Sequence, residues 1–593
     1  MPTYTAPLRD MRFVMHELLA EQGVLDLPGS EELEPELVDE ILAEAGKLCA
    51  GVLAPLNRSG DEAGCRYDNG EVRTPPGFKD AYDQYVEAGW PALAGSPDHG
   101  GQGLPALVDL MVTEMMCSSN LAFSMYPSLT HGAYKVLEVH GSEALKARWL
   151  EPMVAGRFTG TMCLTEPQCG TDLGLVRTRA VAAEDGSWRV SGEKIFISAG
   201  EHDLAENIVH LVLARTPDAP AGTRGLSLFL VPKRLLDDAG RPGARNGVLC
   251  TRIEEKMGIH GSATCALSFD ESVGYLVGEL HRGMPAMFLM MNSARLVVGV
   301  HGLAVGEAAY QGAVAYARER RQGRALAGAR EPGEAADPIV VHPDVRRMLL
   351  TMRAQIEGCR ALAAWVATEL DIARRHPDAG RRQEADDLVA LLTPVVKGYC
   401  TDVGSEVASI GVQVLGGHGY IREHGMEQLV RDARICQIYE GTNGVQAMDL
   451  VGRKLGTAGG RLLRRLFHPI AAFLEARADR SEAVPLAKAF GRLQRATATI
   501  AARGLRDPNE AGAVATDYLR LMGLVVLGYL WTRMSEVAGA RLGDDPGGFY
   551  QAKVDTARFF LERILPETSG LAASIMAGGA STMALDEAAF TRD

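Results

Sequence analysis

The chain has no long hydrophobic run, no paired-cysteine motif and no surplus of positive charge, and each absence removes a class of function. Its longest apolar stretch, LMGLVVLGYLW at 521–531, falls well short of the roughly 20 residues that span a bilayer, so it reads as a buried helix. Ten cysteines are scattered with no C-x-x-C pair and no Cys/His grouping of metal-ligand spacing. The opening MPTYTAPLRD lacks the marks of a secretory leader. Reduced thiols in the cytoplasm fit that usage, and no metal site is expected. A net charge of −14 lacks the positive field that nucleic acid or an anionic membrane requires. Also missing are a P-loop, a G-x-S-x-G elbow, an H-E-x-x-H pair and any internal repeat. The nearest approach to a dinucleotide fingerprint, Gly101-Gln102-Gly103, lacks the third glycine and a preceding strand.

What is present is a folded, multidomain composition: 593 residues, 47% hydrophobic and 23% charged, enough for about four units at roughly 150 residues each. Leu37, Ile41, Ala45, Leu48 and Val52 recur at helical spacing, and helical patterns continue to about residue 160. There the texture changes. SWRVSGEKIFISAG, NIVHLVLAR and GLSLFLVPK are short runs rich in Val, Ile, Leu and Phe between turn residues, as strands are. Helical spacing returns with MFLMMNSARLVVGVHG and runs to about 455, broken by a Gly/Pro/Ala-rich insert at AGAREPGEAADP that reads as mobile. Past GTAGG a further helical region carries 17 Lys/Arg against 15 Asp/Glu over 456–593, a net of +2 that is too weak to be called basic.

One decamer, QIYEGTNGVQ at 437–446, sets a single carboxylate, Glu440, between Ile438-Tyr439 and a Gly-Thr-Asn-Gly turn. An acid beside a glycine is ordinarily a solvated turn residue. Against apolar neighbours it would lose hydration, its pKa would rise, and it could take a proton near neutral pH. The glycine after it lets backbone pass close to a ligand.

Three separated stretches share this texture of a site: MCLTEPQCGTD (162–172) ahead of KIFISAG (194–200), YARERRQG (316–323), and QVLGGHGYIREHGMEQLVRDARICQIYEGTNGVQ (413–446). In order and spacing they resemble the signatures of the acyl-CoA dehydrogenase family, over roughly 40–455. The resemblance implies a mainly α fold with a central β-barrel domain. Its segments are an N-terminal extension (1–35), an N-terminal helical domain (36–160), a middle β domain (161–280), a helical bundle of four helices (281–456) and an extra C-terminal helical domain (461–593).

It further implies FAD and an acyl-CoA thioester, dehydrogenated between the α and β carbons to a trans-2-enoyl-CoA. Such chemistry needs a base for the α proton and a hydride acceptor for the β carbon. By resemblance Glu440 is the base, and its backbone N–H, with a flavin ribityl hydroxyl, holds the thioester carbonyl. The other position the family uses for this base, a Glu before an Arg, reads Ala294-Arg295 here. Tyr439, Gly441 and Arg295 are expected at the substrate. Leu164, Thr165, Phe196 and Ser198 are expected on the isoalloxazine ring, with Phe196-Ile197-Ser198 standing where Trp-Ile-Thr is commoner. Arg320 and Gln322 match positions that reach the FAD pyrophosphate of the neighbouring subunit, a fork suited to a diphosphate. Gln413, Gly416, Gly417 and Thr442 complete the cofactor set, while Gly444 replaces a common Gln.

Expected partners are an electron-transfer flavoprotein and a second copy of the chain, as a homodimer whose tail covers the tetramer surface of shorter relatives. The first-choice substrate is a straight fatty acyl-CoA of β-oxidation, with 3-(methylthio)propionyl-CoA second. The rivals are an acyl-CoA oxidase, a DNA-binding flavoprotein relative acting through the tail, and peripheral membrane attachment at LLRRLF (462–467). Met284, Met287, Met290 and Met291, at near-helical spacing, read as core filling.

Overall fold

A computed structural model describes residues 4–544 and 546–591. The chain divides into two compact units, one made of Met1–Ala43, Pro105–Glu114 and Val298–Asp593, the other of Glu44–Leu104 and Met115–Val297.

The second unit holds a seven-stranded sheet. Hydrogen bonding runs in the order Val248–Ile253, Thr264–Val277, Trp188–Ser198, Arg179–Ala182, Asn207–Arg215, Phe158–Cys163. Leu226–Pro232 pairs with both Thr264–Val277 and Asn207–Arg215, so the pairing path returns on itself. Asn207–Arg215 is buried along nearly its whole length, which is why NIVHLVLAR reads as an unbroken apolar run and not as an alternation. Its alternate residues feed two cores. Val209, Leu211 and Leu213 join Trp149, Phe158, Met287 and Met290 in one, and Val212 and Ala214 join Val190, Phe229 and Phe269 in the other. Met287 and Met290 are fully buried there, and Met284 and Met291 pack at its edge, as core-filling residues do.

The first unit is helical, around Pro343–Arg375, Ala379–Leu415 and Ala515–Gly539. The run 521–531 is buried throughout. A Cβ on Gly523 would meet the Tyr399 ring at 2.3 Å and one on Gly398 would meet Leu519 at 2.8 Å, while Trp531 Nε1 donates to the Ala354 carbonyl at 2.9 Å. The C-terminal extension is thus packed into the bundle at backbone-to-ring distance. Leu462, Leu466 and Ile470 of the helix Arg461–Glu475 are buried, and Arg461 and Arg465 pair with Asp387 and Glu384. Within LLRRLF, Leu462 and Leu466 are thus buried while Leu463 and Phe467 are half-buried. Gly283–Glu319 is long and apolar enough to cross a membrane by length and composition, with 61% of its most apolar window buried inside the protein, as in a core helix.

A buried ion cluster also belongs to this unit. Arg360 binds Glu114 at 2.9 Å, Glu307 at 2.6 Å and Asp10, and Lys553 binds Glu357 at 2.7 Å and Asp10. Desolvation outweighs Arg360 at Glu114, whose carboxyl is pushed up to about 7.

The insert expected to be mobile is ordered. The Asp337 side chain, fully buried, accepts from the backbone amides of Ala325, Arg330 and Glu331, and these bonds hold its carboxyl far below the usual range. The Gly/Pro/Ala-rich composition conceals that one carboxylate gathers the loop.

Candidate active site

In the first unit, the helix Met426–Cys436 ends at Gln437, and Thr442 caps the next helix, Asn443–Asp449, by accepting from the Val445 amide at 3.3 Å. Glu440 lies in the link between them, half-buried, with φ +57°. Gly441 follows at φ +82°. A left-handed non-glycine residue costs roughly 1–2 kcal/mol, so the link must be held from outside. Gln446, fully buried, donates through Nε2 to the carbonyls of Glu440 (3.1 Å) and Gly441 (3.2 Å). Asn443 Nδ2 donates to the Gly398 carbonyl at 3.1 Å and to Asp402 at 2.7 Å, and its Oδ1 accepts from the buried Lys397 at 2.8 Å. The Tyr439 hydroxyl is hydrogen-bonded to His301 Nδ1 at 2.6 Å. Ile438 is 46% exposed, so it is not the buried apolar neighbour expected beside Glu440.

The remaining residues read as cofactor ligands in this unit carry free side chains. Arg320, Gln322 and Gln413 are exposed, and their side chains bond to no other described residue. The backbone of Arg320 and Gln322 is fixed by the ordered insert: Ile339 N–H donates to the Arg320 carbonyl at 2.8 Å and Gln322 N–H to the Asp337 carbonyl at 3.0 Å. Gly416 ends the helix Ala379–Leu415 at φ +60°, ψ −137°, a conformation that requires glycine, and donates to the Gln413 carbonyl. Around Gly417 a side chain would meet open space.

The second unit brings Leu164, Thr165, Phe196 and Ser198 together. Ile195 N–H donates to the Thr165 carbonyl at 2.9 Å and Lys194 Nζ to the Leu164 carbonyl at 3.0 Å. Lys194 also binds Glu166 at 2.8 Å. Burial alone would raise the Glu166 carboxyl, but Lys194, Thr178 and the Arg177 amide hold it down to about 2. Two residues, Ile195 and Phe196, face one, Ala266, across the strand pairing. This bulge turns Phe196 out at φ +58°, 60% exposed. The Thr165 and Ser198 hydroxyls make no hydrogen bond to another described residue. Arg295 is buried, with Nη1 at 3.3 Å from Asn292. A cavity of about 500 Å³ lies nearby, lined by Cys65, Tyr67, Lys256, His260 and Thr264, the last paired with Ser198, but by none of the predicted site residues.

These features suit a flavin dinucleotide. The second unit by itself offers an outturned aromatic beside two hydroxyls with no partner among the described residues, which suits a ring with polar edges; the first by itself offers an exposed guanidinium and two exposed amides, which suit a diphosphate. Among the described residues no grouping of His, Cys, Asp and Glu could hold a metal ion.

Comparison with known proteins decides the class. Residues 36–157, 161–272 and 281–455 match the N-terminal, middle and C-terminal domains of acyl-CoA dehydrogenase, and 466–586 match an acetyl-CoA dehydrogenase C-terminal-like domain. The chain belongs to the acyl-CoA dehydrogenase family. It is an oxidoreductase of the CH–CH bond of an acyl-CoA, it uses FAD, and its fold is the mostly helical family fold of helical, sheet and helical domains. It is 46% identical over 579 residues to a 3-methylmercaptopropionyl-CoA dehydrogenase of Ruegeria pomeroyi, covering 96% of this chain and 97% of that one. It is 35% identical over 616 residues to a broad-specificity linear acyl-CoA dehydrogenase of Mycobacterium tuberculosis, covering both completely. Similar solved structures include an acyl-CoA dehydrogenase of Bacillus anthracis complexed with FAD (TM-score 0.73, 19% identity, 93% of this chain and 89% of that). Another is an electron transferring flavoprotein of Acidaminococcus fermentans (TM-score 0.58, 26% identity, 71% of this chain and 98% of that).

The sequence did not single out His301, Asp337, Lys397 or Gln446. Each acts on a residue of the motifs from outside them or as an unremarkable polar side chain within them, and no local spacing marks it.

Proposed function

We propose that this enzyme removes the α proton of a short acyl-CoA with Glu440, and that 3-(methylthio)propionyl-CoA is its preferred substrate. The 46% end-to-end identity to an enzyme of that name carries the choice and reverses the order read from the sequence, with short straight-chain thioesters now second. Methylthiopropionyl and pentanoyl groups differ only by sulfur for methylene, so a pocket for one discriminates weakly against the other.

Glu440 holds its carboxylate at the end of a pinned loop and takes the α proton; its backbone N–H hydrogen-bonds the thioester carbonyl where negative charge develops. Bound FAD supplies the acceptor for the β hydride. Thr165, Phe196 and Ser198 hold and cover the ring, Leu164 contributes backbone, and Arg320 and Gln322 clamp the diphosphate of the FAD bound in a second copy. Gln413, Gly416, Gly417 and Thr442 complete the cradle, and Tyr439, Gly441 and Arg295 flank the substrate. We read the returning strand path as a barrel wall, keep the five-segment division made on sequence, and infer a homodimer. The likeness to an electron transferring flavoprotein supports a partner of that kind over oxygen, and ten free cysteines support a reducing, cytoplasmic setting.

The test is anaerobic flavin bleaching by methylthiopropionyl-, butyryl-, pentanoyl-, octanoyl- and palmitoyl-CoA, for wild type and Glu440→Gln. Methylthiopropionyl- and pentanoyl-CoA should bleach with kcat/KM values within about tenfold of each other, and Glu440→Gln should abolish both. Bleaching by palmitoyl-CoA alone overturns the substrate, and a fully active Glu440→Gln overturns the base. Peroxide release in air without transfer to an electron-transfer flavoprotein would make the enzyme an oxidase.

A further inference from the structure

Glu440 sits in a backbone conformation that L residues avoid, and such strain persists only where the surroundings over-determine it. Two of its restraints are local or lie on the loop itself: Gln446 bonds the carbonyls of Glu440 and Gly441, and Asn443 ties the loop to Lys397 and Asp402. The third comes from a distant helix. His301, on Gly283–Glu319, is 2% exposed, and its Nδ1 lies 2.6 Å from the hydroxyl of Tyr439, the residue immediately before Glu440. The two rings stand 6.0 Å apart at 52°. Cys436 Sγ also reaches the same hydroxyl, at 3.6 Å. His301 Nε2 is buried and has no partner among the described residues.

We propose that His301 is a positioning residue of the reaction: its hydrogen bond to Tyr439 fixes the phenol and, through one peptide unit, the direction in which the Glu440 carboxylate points. The proposal rests on Glu440 being the base. Burial pushes the imidazole down to about 3, so His301 is neutral at every working pH and acts through the bond and not through charge. Either ring nitrogen can carry the proton, because the phenol can both donate and accept. With no partner for the buried second nitrogen among the described residues, the bond to Tyr439 is the ring's one polar tie there.

A double-mutant cycle tests this with two readouts, kcat and KM for the best thioester, and exchange of its α hydrogen for deuterium with no electron acceptor present, which reads the base alone. His301→Leu should lower kcat and exchange by about tenfold to a hundredfold, as misplacement of a reacting group by an ångström does, with KM within about twofold. Tyr439→Phe should match it, and His301→Leu with Tyr439→Phe should be no worse than either, since both remove one bond. His301→Gln, which can still bond the phenol, should recover most of the loss and leave the pH profile of kcat/KM unshifted. The proposal falls if the two losses multiply, if His301→Gln is no better than His301→Leu, or if KM alone changes. If His301→Leu does not fold, Tyr439→Phe and His301→Gln still decide: full exchange in Tyr439→Phe overturns the idea. Exchange retained by Glu440→Gln would instead overturn the base.

Discussion

Gly441 shows most sharply how little freedom the loop around Glu440 has. A Cβ there would stand 2.8 Å from Gln446 Nε2, on a backbone at φ +82°. Gly441→Ala should displace Gln446, release the two carbonyls it binds, and lower kcat by about tenfold or more through a misplaced carboxylate; steady-state kinetics on methylthiopropionyl-CoA, with thermal melting as the control for folding, checks it. The carboxylate and its glycine were legible in QIYEGTNGVQ. Their left-handed geometry was not, because the loop is held by Gln446 and, through Asn443, by Lys397 and Asp402 of another helix. Phe196 repeats the pattern: the motif marks the residue, while the bulge opposite Ala266 that turns it outward is a property of strand pairing.

At the scale of elements, the insert between Gly323 and Asp337 is a small built structure. Its composition reads as a mobile linker, whereas in three dimensions Asp337 collects amides from Ala325, Arg330 and Glu331, and Arg321 and Arg324 bond across the same loop. Since the same loop bonds the backbone of Arg320 and Gln322, Asp337→Ala should release those two residues and weaken FAD retention. Gel filtration followed by flavin absorbance should show less bound FAD per chain than wild type, as it should for Arg320→Ala. Equal retention in Asp337→Ala would mean that the loop does not set the diphosphate contacts. Helices and strands were far more legible than this loop. The buried strand Asn207–Arg215 and the helix through 521–531 announced themselves by apolar density, since burial on all sides leaves few polar positions.

Across the whole molecule, the order of helical, sheet and helical regions follows the sequence, whereas the two compact units do not: each is assembled from segments that are separate along the chain. Packing, not continuity, defines them. The ion cluster around Arg360 is one such joining, and it sets a pH dependence. Glu114 has its folded pKa raised to about 7, above the usual carboxyl value near about 4.3. Its contribution to stability is therefore fully present below the unfolded pKa and lost as pH rises toward 7. The melting temperature of wild type relative to Glu114→Gln should fall between pH 5 and pH 8, and a constant difference would show that Glu114 keeps one charge state throughout.

The same cluster has a consequence for how the enzyme is made. Asp10 and Lys553, which neutralises it together with Arg360, are 543 residues apart along the chain. At roughly 5–20 residues per second the ribosome holds the early segment for about half a minute to two minutes before that lysine exists. Until then the nascent chain carries acids without their full complement of cations, so the bundle closes around them only after residue 553 has been made.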